Sequence, residues 1–78
     1  MKLEIITPEK TLFSGEVNLV QLPGIDGSFE ILNNHAPLIS ALKAGKIKIQ
    51  DMQKQEQFFE VKGGMIEVLK NKVLILAE

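Results

Sequence analysis

The stretch Leu22–Ser40, LPGIDGSFEILNNHAPLIS, holds two of the three prolines, two of the six glycines and the only histidine of this 78-residue chain. Its segment Pro23–Gly27 combines a Pro-Gly turn signal with an Asp-Gly hairpin signal. Asn33–Pro37 predicts a loop, because asparagine tolerates left-handed backbone and proline disfavours helix at the residue before it. Between these turns, Ser28–Leu32 alternates apolar and polar residues. The stretch therefore predicts a short strand between two tight turns.

The same period of two extends outward in both directions, most clearly in Lys46–Gln50. A helical period is never sustained, since the one arguable window, Pro37–Lys43, is under two turns long. The sequence therefore predicts short strands separated by turns. The predicted strands are Lys2–Thr7, Thr11–Ser14, Val17–Leu22, Ser28–Leu32, Leu38–Leu42, Lys46–Gln50, Phe58–Lys62, Met65–Leu69 and Val73–Ala77.

Glycine and proline positions set the predicted ends of these strands. Gly15 suggests a bulge, Pro23-Gly24 and Ala44-Gly45 suggest turns, and Gly63-Gly64 suggests a turn or a wide bulge. We therefore expect one domain over residues 1–78. Its predicted class is all-β, a flattened β-sandwich/barrel of about ten short strands with no helical domain.

One predicted strand, Val17–Leu22, is apolar on both faces. Strict alternation places Val17 and Leu19 on one face and Val20 and Leu22 on the other. Such a strand is either enclosed between two layers or presents an exposed contact face.

Composition excludes several classes of function. The chain has no cysteine, so disulfides, thiol nucleophiles and cysteine metal sites are impossible. Nine lysines, no arginine and ten carboxylates leave a net charge of -1, and tryptophan and tyrosine are absent. This composition argues against nucleic-acid binding, which normally needs a basic, arginine-rich surface. The longest unbroken apolar run, Val73–Ala77, is far shorter than a membrane span.

Catalytic chemistry has little support in the residues. A hydrolytic triad needs a general base, and only His35 is available, with Ser28, Ser40 and Asp26 nearby in sequence. No Gly-x-Ser-x-Gly nucleophile motif is present, so His35 is interpreted as an ordinary loop residue. A single histidine among scattered carboxylates also lacks metal-ligand spacing, and we expect neither a metal nor a cofactor.

These exclusions leave a binding or structural module, whose irregular loops are the expected contact sites. Two alternatives remain open from the residues. One is a free-standing sandwich that binds a small ligand in an apolar pocket, or a peptide by strand addition at an open edge. The other is a small hydrolase that uses His35.

The ordered motifs of the whole chain resemble the N-terminal β-sandwich domain of the epsilon subunit of F-type ATP synthase, which is called delta in mitochondria. Each motif is weak alone, but the ordered set at this spacing is specific. The motifs are Thr7-Pro8-Glu9, Leu12–Val17, Leu22-Pro23-Gly24, Asp26-Gly27, Phe29, Ile31-Leu32, His35–Leu38, Leu42-Lys43, Gly45, Ile47, Phe59, Val61, Gly63-Gly64, Glu67-Val68, Asn71 and Val73–Ala77.

The resemblance implies a non-catalytic central-stalk, or rotor, subunit that couples rotation of the membrane c-ring to the gamma subunit during proton-driven ATP synthesis. It implies a location at the bacterial inner membrane, peripheral and on the cytoplasmic side. Its implied gamma contacts are His35, Ala36, Pro37, Leu38, Ile39 and Ser40. Its implied c-ring contacts are Asp26, Gly27 and Ser28, to which we add Glu30.

Glu30 is added because the sequence departs from the family pattern near the Asp-Gly turn. The family usually has an acidic residue where this chain has Ser28, and often a glycine where it has Glu30. Residues two apart in a strand share a face, so Glu30 is hypothesised to replace the missing carboxylate.

Family members commonly continue past the last strand into a helical hairpin, which can inhibit ATP hydrolysis or, in some relatives, bind ATP. This chain ends at Glu78, directly after its last predicted strand. We therefore expect neither an inhibitory hairpin nor an ATP site in this polypeptide.

Overall fold

A computed structural model describes residues 1–78 and contains six β-strands and no helix. The all-β class is confirmed, whereas the expected number of about ten strands is wrong. There is consequently no helix that could span a lipid bilayer. The strands are β1 (Lys2–Ile6), β2 (Thr11–Gly24), β3 (Gly27–Leu32), β4 (Leu38–Asp51), β5 (Glu56–Leu69) and β6 (Lys72–Ala77).

The strand count is lower because three strands of 14 residues each run through the predicted breaks. β2 continues through Gly15 and ends on Pro23-Gly24, so that dipeptide is strand rather than turn. Ala44-Gly45 lies inside β4, and Gly63-Gly64 lies inside β5. Glycine permits unusual backbone angles without requiring the chain to leave the sheet.

Pairing closes the sheet on itself. The order is β1-β6-β5-β4-β2-β3, and β1 also pairs with β2. Only β1 and β6 are parallel, and every other pair is antiparallel. Five strands thus form a ring, while β3 pairs with β2 alone.

The ring is flattened because its long strands pass from one layer to the other. In β5, Val61 and Ile66 are both buried although they are five positions apart. An odd separation reverses which face of the strand points inward. The reversal falls at Gly63 and Gly64, whose φ angles are 146° and 143°, and Leu42 of β4 pairs with Gly64 at the same level.

In β2 the change of layer uses a bulge at Asn18. The partner of Val17 is Asp51 and the partner of Leu19 is Gln50, so Asn18 is the extra residue. Its side-chain amide donates to the carbonyl of Asp51 over 3.3 Å. The expected strict alternation of this segment is therefore wrong: Val17, Val20 and Leu22 are all buried, and Leu19 is half-buried.

Two layers result. The upper layer contains β3, residues 17–24 of β2, 43–51 of β4 and 56–63 of β5. The lower layer contains β1, β6, residues 11–16 of β2, 38–42 of β4 and 64–69 of β5.

The core between the layers is entirely apolar. Its sixteen buried residues include no polar side chain, and Phe13 and Phe59 pack against it with ring centroids 6.0 Å apart, edge to face. The core residues are Met1, Leu3, Ile5, Val17, Val20, Leu22, Ile31, Leu42, Ile47, Ile49, Val61, Ile66, Val68, Val73, Ile75 and Ala77.

Gly64→Ala tests whether the layer change in β5 is essential. An added Cβ would collide with the carbonyl oxygen of Leu76 at a backbone angle of φ 143°. Strain and steric overlap together are expected to lower the free energy of unfolding by roughly 3 kcal/mol in urea titration.

Gly27→Ala is the matched control, since Gly27 has a φ of 130° but open space around its Cβ position. It isolates the backbone strain and is expected to cost about 1 kcal/mol. Equal losses for the two variants would show that the close approach to Leu76 does not matter.

Candidate interaction surface

The β2–β3 hairpin presents the predicted Asp-Gly turn to solvent. Gly24 pairs with Gly27, so Ile25 and Asp26 form a two-residue turn, and both side chains are exposed. The hairpin prediction is confirmed. A Cβ on Gly24 would lie 2.6 Å from the carbonyl oxygen of Gly27, so this turn requires glycine at Gly24.

Along β3, side chains alternate between the core and solvent. Ile31 is buried and Phe29 is half-buried, while Ser28 and Glu30 are exposed opposite Pro23 and Gln21. Ser28 and Glu30 therefore share the outward face, as the two-residue spacing predicts. The Glu30 carboxylate forms no ion pair with this chain.

The turn is tied to the beginning of β4. The amide N–H of Ile25 donates to the carbonyl of Ala41 over 3.3 Å. The turn is thereby placed beside the end of the stretch His35–Ser40, so the two predicted contact regions adjoin on one side of the sandwich.

The loop before β4 is anchored at several points. The amino group of Met1 donates to Asn33 Oδ1 over 2.7 Å, and the Asn34 N–H donates to Asn71 Oδ1 over 2.7 Å. The His35 N–H donates to the carbonyl of Leu32 over 3.2 Å. Asn34 itself has a φ of 62°, in the left-handed region that asparagine tolerates. The loop is therefore held in place although its side chains are exposed.

His35 has one side-chain hydrogen bond, from Nδ1 to the carbonyl of Ala36 over 2.8 Å. The Ser40 hydroxyl contacts the carbonyl of Ala41, and neither Ser28 nor Asp26 is hydrogen-bonded to His35. The predicted catalytic partners are thus not assembled around the ring. No three His, Asp or Glu side chains come together as metal ligands.

Two surface hollows flank the β5–β6 turn. One, of about 590 Å³, lies between His35–Pro37 and the turn residues Leu69–Asn71. The other, of about 370 Å³, has five charged residues among its eight lining residues. Neither resembles the apolar pocket that small-molecule binding by a free-standing sandwich requires.

Sequence reasoning missed an apolar surface on the outside of the lower layer. Ile39, Met65 and Leu76 are each at least half exposed and lie on three adjacent strands. The signal was present in Val73–Ala77, where consecutive apolar residues leave apolar side chains on both faces.

The fold and these exposed loops define a small all-β domain that presents contact loops from a closed sheet. The family model for the ATP synthase delta/epsilon chain β-sandwich domain matches residues 1–78. The chain belongs to this family, and the resemblance noted from its motifs is confirmed.

Curated relatives agree with this assignment. The ATP synthase epsilon chain of Chlorobium limicola is 49% identical over 77 residues, covering 99% of this chain and 88% of the relative. The epsilon chain of Caulobacter vibrioides is 40% identical over 78 residues, covering 100% of this chain and 90% of the relative. For the epsilon chain of Dehalococcoides mccartyi strain BAV1, which is 44% identical, this chain spans 55% of the length.

Solved structures share the fold at low sequence identity. A chain of the Euglena gracilis mitochondrial ATP synthase, solved as OSCP/F1/c-ring, superposes with a TM-score of 0.90 at 17% identity, over 96% of this chain and 48% of that one. A chain of the Tetrahymena thermophila mitochondrial ATP synthase central stalk/c-ring superposes with a TM-score of 0.83 at 20% identity. The match covers 99% of this chain and 62% of that one.

Asn71 is predicted to position the His35 loop through its side chain. Its φ angle is 61°, and its side-chain Oδ1 accepts a hydrogen bond from the Asn34 N–H. Asn71→Ala removes this hydrogen bond and also puts alanine at a backbone angle that asparagine tolerates better. The expected loss in free energy of unfolding is about 2 kcal/mol.

Asn71→Gly is the matched variant, because glycine keeps the backbone angle and removes only the hydrogen bond. Its expected loss is about 1 kcal/mol. In both variants the Asn34 amide should exchange with solvent deuterium faster than in the parent chain. Unchanged exchange at Asn34 would contradict the anchoring role.

Proposed function

We propose that this chain is a central-stalk subunit of an F-type ATP synthase, where it couples rotation of the c-ring to the gamma subunit. Its role is mechanical and non-catalytic, and its place is peripheral to the bacterial inner membrane on the cytoplasmic side. Family membership over residues 1–78 is the observation that carries the proposal. The two structural relatives support it, since both come from ATP synthase stalk or F1 assemblies with a c-ring.

The geometry suits a part that transmits torque. The two predicted contact regions, Asp26–Glu30 and His35–Ser40, lie on neighbouring elements joined by the Ile25–Ala41 hydrogen bond. Behind them, each strand of the five-stranded ring is paired along both sides over part of its length, and β3 is joined to that ring through β2.

The gamma contact is assigned to His35–Ser40, where Ile39 is the most exposed large apolar residue at 67%. Ile39→Lys places a charge in the proposed interface at no cost to the core. We expect it to weaken binding of purified gamma subunit at least tenfold in calorimetric titration, since burying an unpaired ammonium is costly.

Phe58→Lys is the control for this substitution. Phe58 is 58% exposed, lies in the upper-layer part of β5 and is far in sequence from the proposed contact. Both variants should unfold at the same temperature as the parent chain. A loss of gamma binding for Phe58→Lys equal to that for Ile39→Lys would place the interface elsewhere.

The c-ring contact is tested by reversing charges on the outward face of the β2–β3 hairpin. Asp26→Lys and Glu30→Lys are each expected to reduce capture of purified c-ring, with the loss largest at low salt because exposed charges are screened. The control is Glu60→Lys, an exposed carboxylate on β5.

The Glu30 hypothesis has its own outcome in the same experiment. If Asp26→Lys weakened ring binding while Glu30→Lys left it unchanged, Glu30 would not be the substitute for the acidic residue usual at the position of Ser28. The role of the hairpin would then rest on the turn alone.

A further inference from the structure

The first half of β5 is an open sheet edge. Residues 56–61 pair with β4, and β6 joins β5 only beyond this segment. The Lys62 N–H points away from β4, because it donates to the carbonyl of Glu78 over 3.2 Å. The N–H and C=O groups of alternate residues point to the same side of a strand, so those of Phe58 and Glu60 also point to the open side. We call Glu56–Val61 the β5 edge.

No local feature protects the β5 edge from pairing with another strand. Exposed edges are usually blocked by proline, lysine, a bulge or a covering element. The segment EQFFEV contains neither proline nor lysine, and its register with β4 is regular from Glu56 to Val61. Phe58, near its centre, is 58% exposed. The β5 edge is therefore able to accept another strand.

The β5 edge lies at an open corner of the sandwich. Residues 11–16 of β2 pair with β1 alone, so they also have no strand on their other side. The two open segments are bridged by Phe13 and Phe59, whose ring centroids are 6.0 Å apart. Both residues are only half-buried although they pack against the core. A strand added at the β5 edge would therefore cover aromatic surface as well as backbone groups.

Antiparallel pairing of two β5 edges about a twofold axis satisfies the free backbone groups. Phe58 of each copy then lies opposite Glu60 of the other, and both pairs exchange N–H···O bonds. Phe59 faces Phe59 of the partner in a non-hydrogen-bonded pair, where side chains are closest. The two copies thereby bring four aromatic rings together, Phe13 and Phe59 from each.

Charge favours this register over its neighbours. At the ends of the paired segment Glu56 lies opposite Lys62 of the partner, and the twofold axis repeats this opposite-charge pair. The next register in one direction would place Glu56 opposite Glu60, and the next register in the other direction would place Glu60 opposite Glu60. Both are disfavoured, because like charges directly opposite each other destabilise a pair of strands.

We propose that the β5 edge binds a second copy of this chain, so that the upper layers of two copies form one continuous sheet. The inference goes beyond the proposed function and does not depend on it, because the β5 edge shares no residue with Asp26–Glu30 or His35–Ser40. A paired segment of this length buries little surface, so the dimer belongs to the weak, concentration-dependent class. We expect a dimer Kd of about 100 μM.

Sedimentation velocity of the whole 78-residue chain, from about 10 μM to about 1 mM, tests the proposal. The weight-average mass is expected to rise from that of one copy toward that of two. In hydrogen exchange over the same concentrations, the amides of Phe58 and Glu60 should exchange more slowly as the dimer forms. The amides of Gln57 and Phe59 are the internal control, because they face β4 and should be protected at every concentration.

A charge swap tests the register. Lys62→Glu puts a carboxylate opposite Glu56 of the partner at both ends of the interface and leaves the Lys48–Glu56 pair intact, so we expect it to raise the dimer Kd about tenfold. Adding Glu56→Lys to this variant makes the facing charges opposite again and should bring the Kd back to the parent value. Lys43→Glu is the matched control, because Lys43 is exposed on β4 opposite Gly63 and outside the interface. All three variants should keep the melting temperature of the parent, since the changed side chains are outside the core.

The outcomes that overturn the inference are distinct. One is a chain that stays monomeric at the highest concentration. Another is a dimer in which the Phe58 and Glu60 amides still exchange fast, or in which Lys62→Glu and Lys43→Glu have the same Kd, since its interface is then a different surface or register. If the two amides slow only when purified gamma subunit is added, the edge accepts a strand of gamma and not a second copy. None of these results overturns the proposed function, which depends on binding to gamma and the c-ring.

Discussion

Gly63 and Gly64 carry β5 from the upper layer to the lower layer, and the closed sheet depends on that crossing. At φ angles of 146° and 143° the two residues reverse the inward face without ending the strand. The reversal lets one strand contribute Val61 to one side of the core and Ile66 to the other. A residue with a Cβ at Gly64 would strike the Leu76 carbonyl, so the crossing also brings β6 against β5. Through β6, the position of β1 depends on the same two glycines.

The core inside the closed sheet is held by apolar packing alone. The core contains sixteen apolar residues and no buried polar side chain, so its packing is not directed by internal hydrogen bonds. Side-chain hydrogen bonds act at the periphery of the core instead, and they are made by Asn18, Asn33 and Asn71. Each of these amides contacts a segment distant in sequence, and two of them hold the loop before β4. Hydrogen bonds therefore fix the loops, while apolar packing alone fills the core. This arrangement suits loops that must keep a fixed geometry.

The fold class could be predicted from the sequence because alternation along strands is a local property, visible in Lys46–Gln50 and Ser28–Leu32. The number of strands could not, because a glycine that ends a strand and one that lies within it look identical in sequence: Gly24 ends β2, whereas Gly45 and Gly63 lie inside β4 and β5. The adjacency of Ile25 to Ala41 depends on pairing between distant segments, which no local pattern encodes. Sequence motifs supplied the contact residues through family resemblance, and their contacts remain predictions. The exposed apolar surface of Ile39, Met65 and Leu76 was missed because its members come from three different strands, β4, β5 and β6.

The layer change in β5 also explains why apolar side chains are exposed on the outside of the lower layer. Once β5 reverses, Ile66 and Val68 are committed to the core, and Met65 and Glu67 must face outward by the period of the strand. Glu67 and Glu4 keep this outward face hydrated, which opposes nonspecific association while leaving apolar residues available.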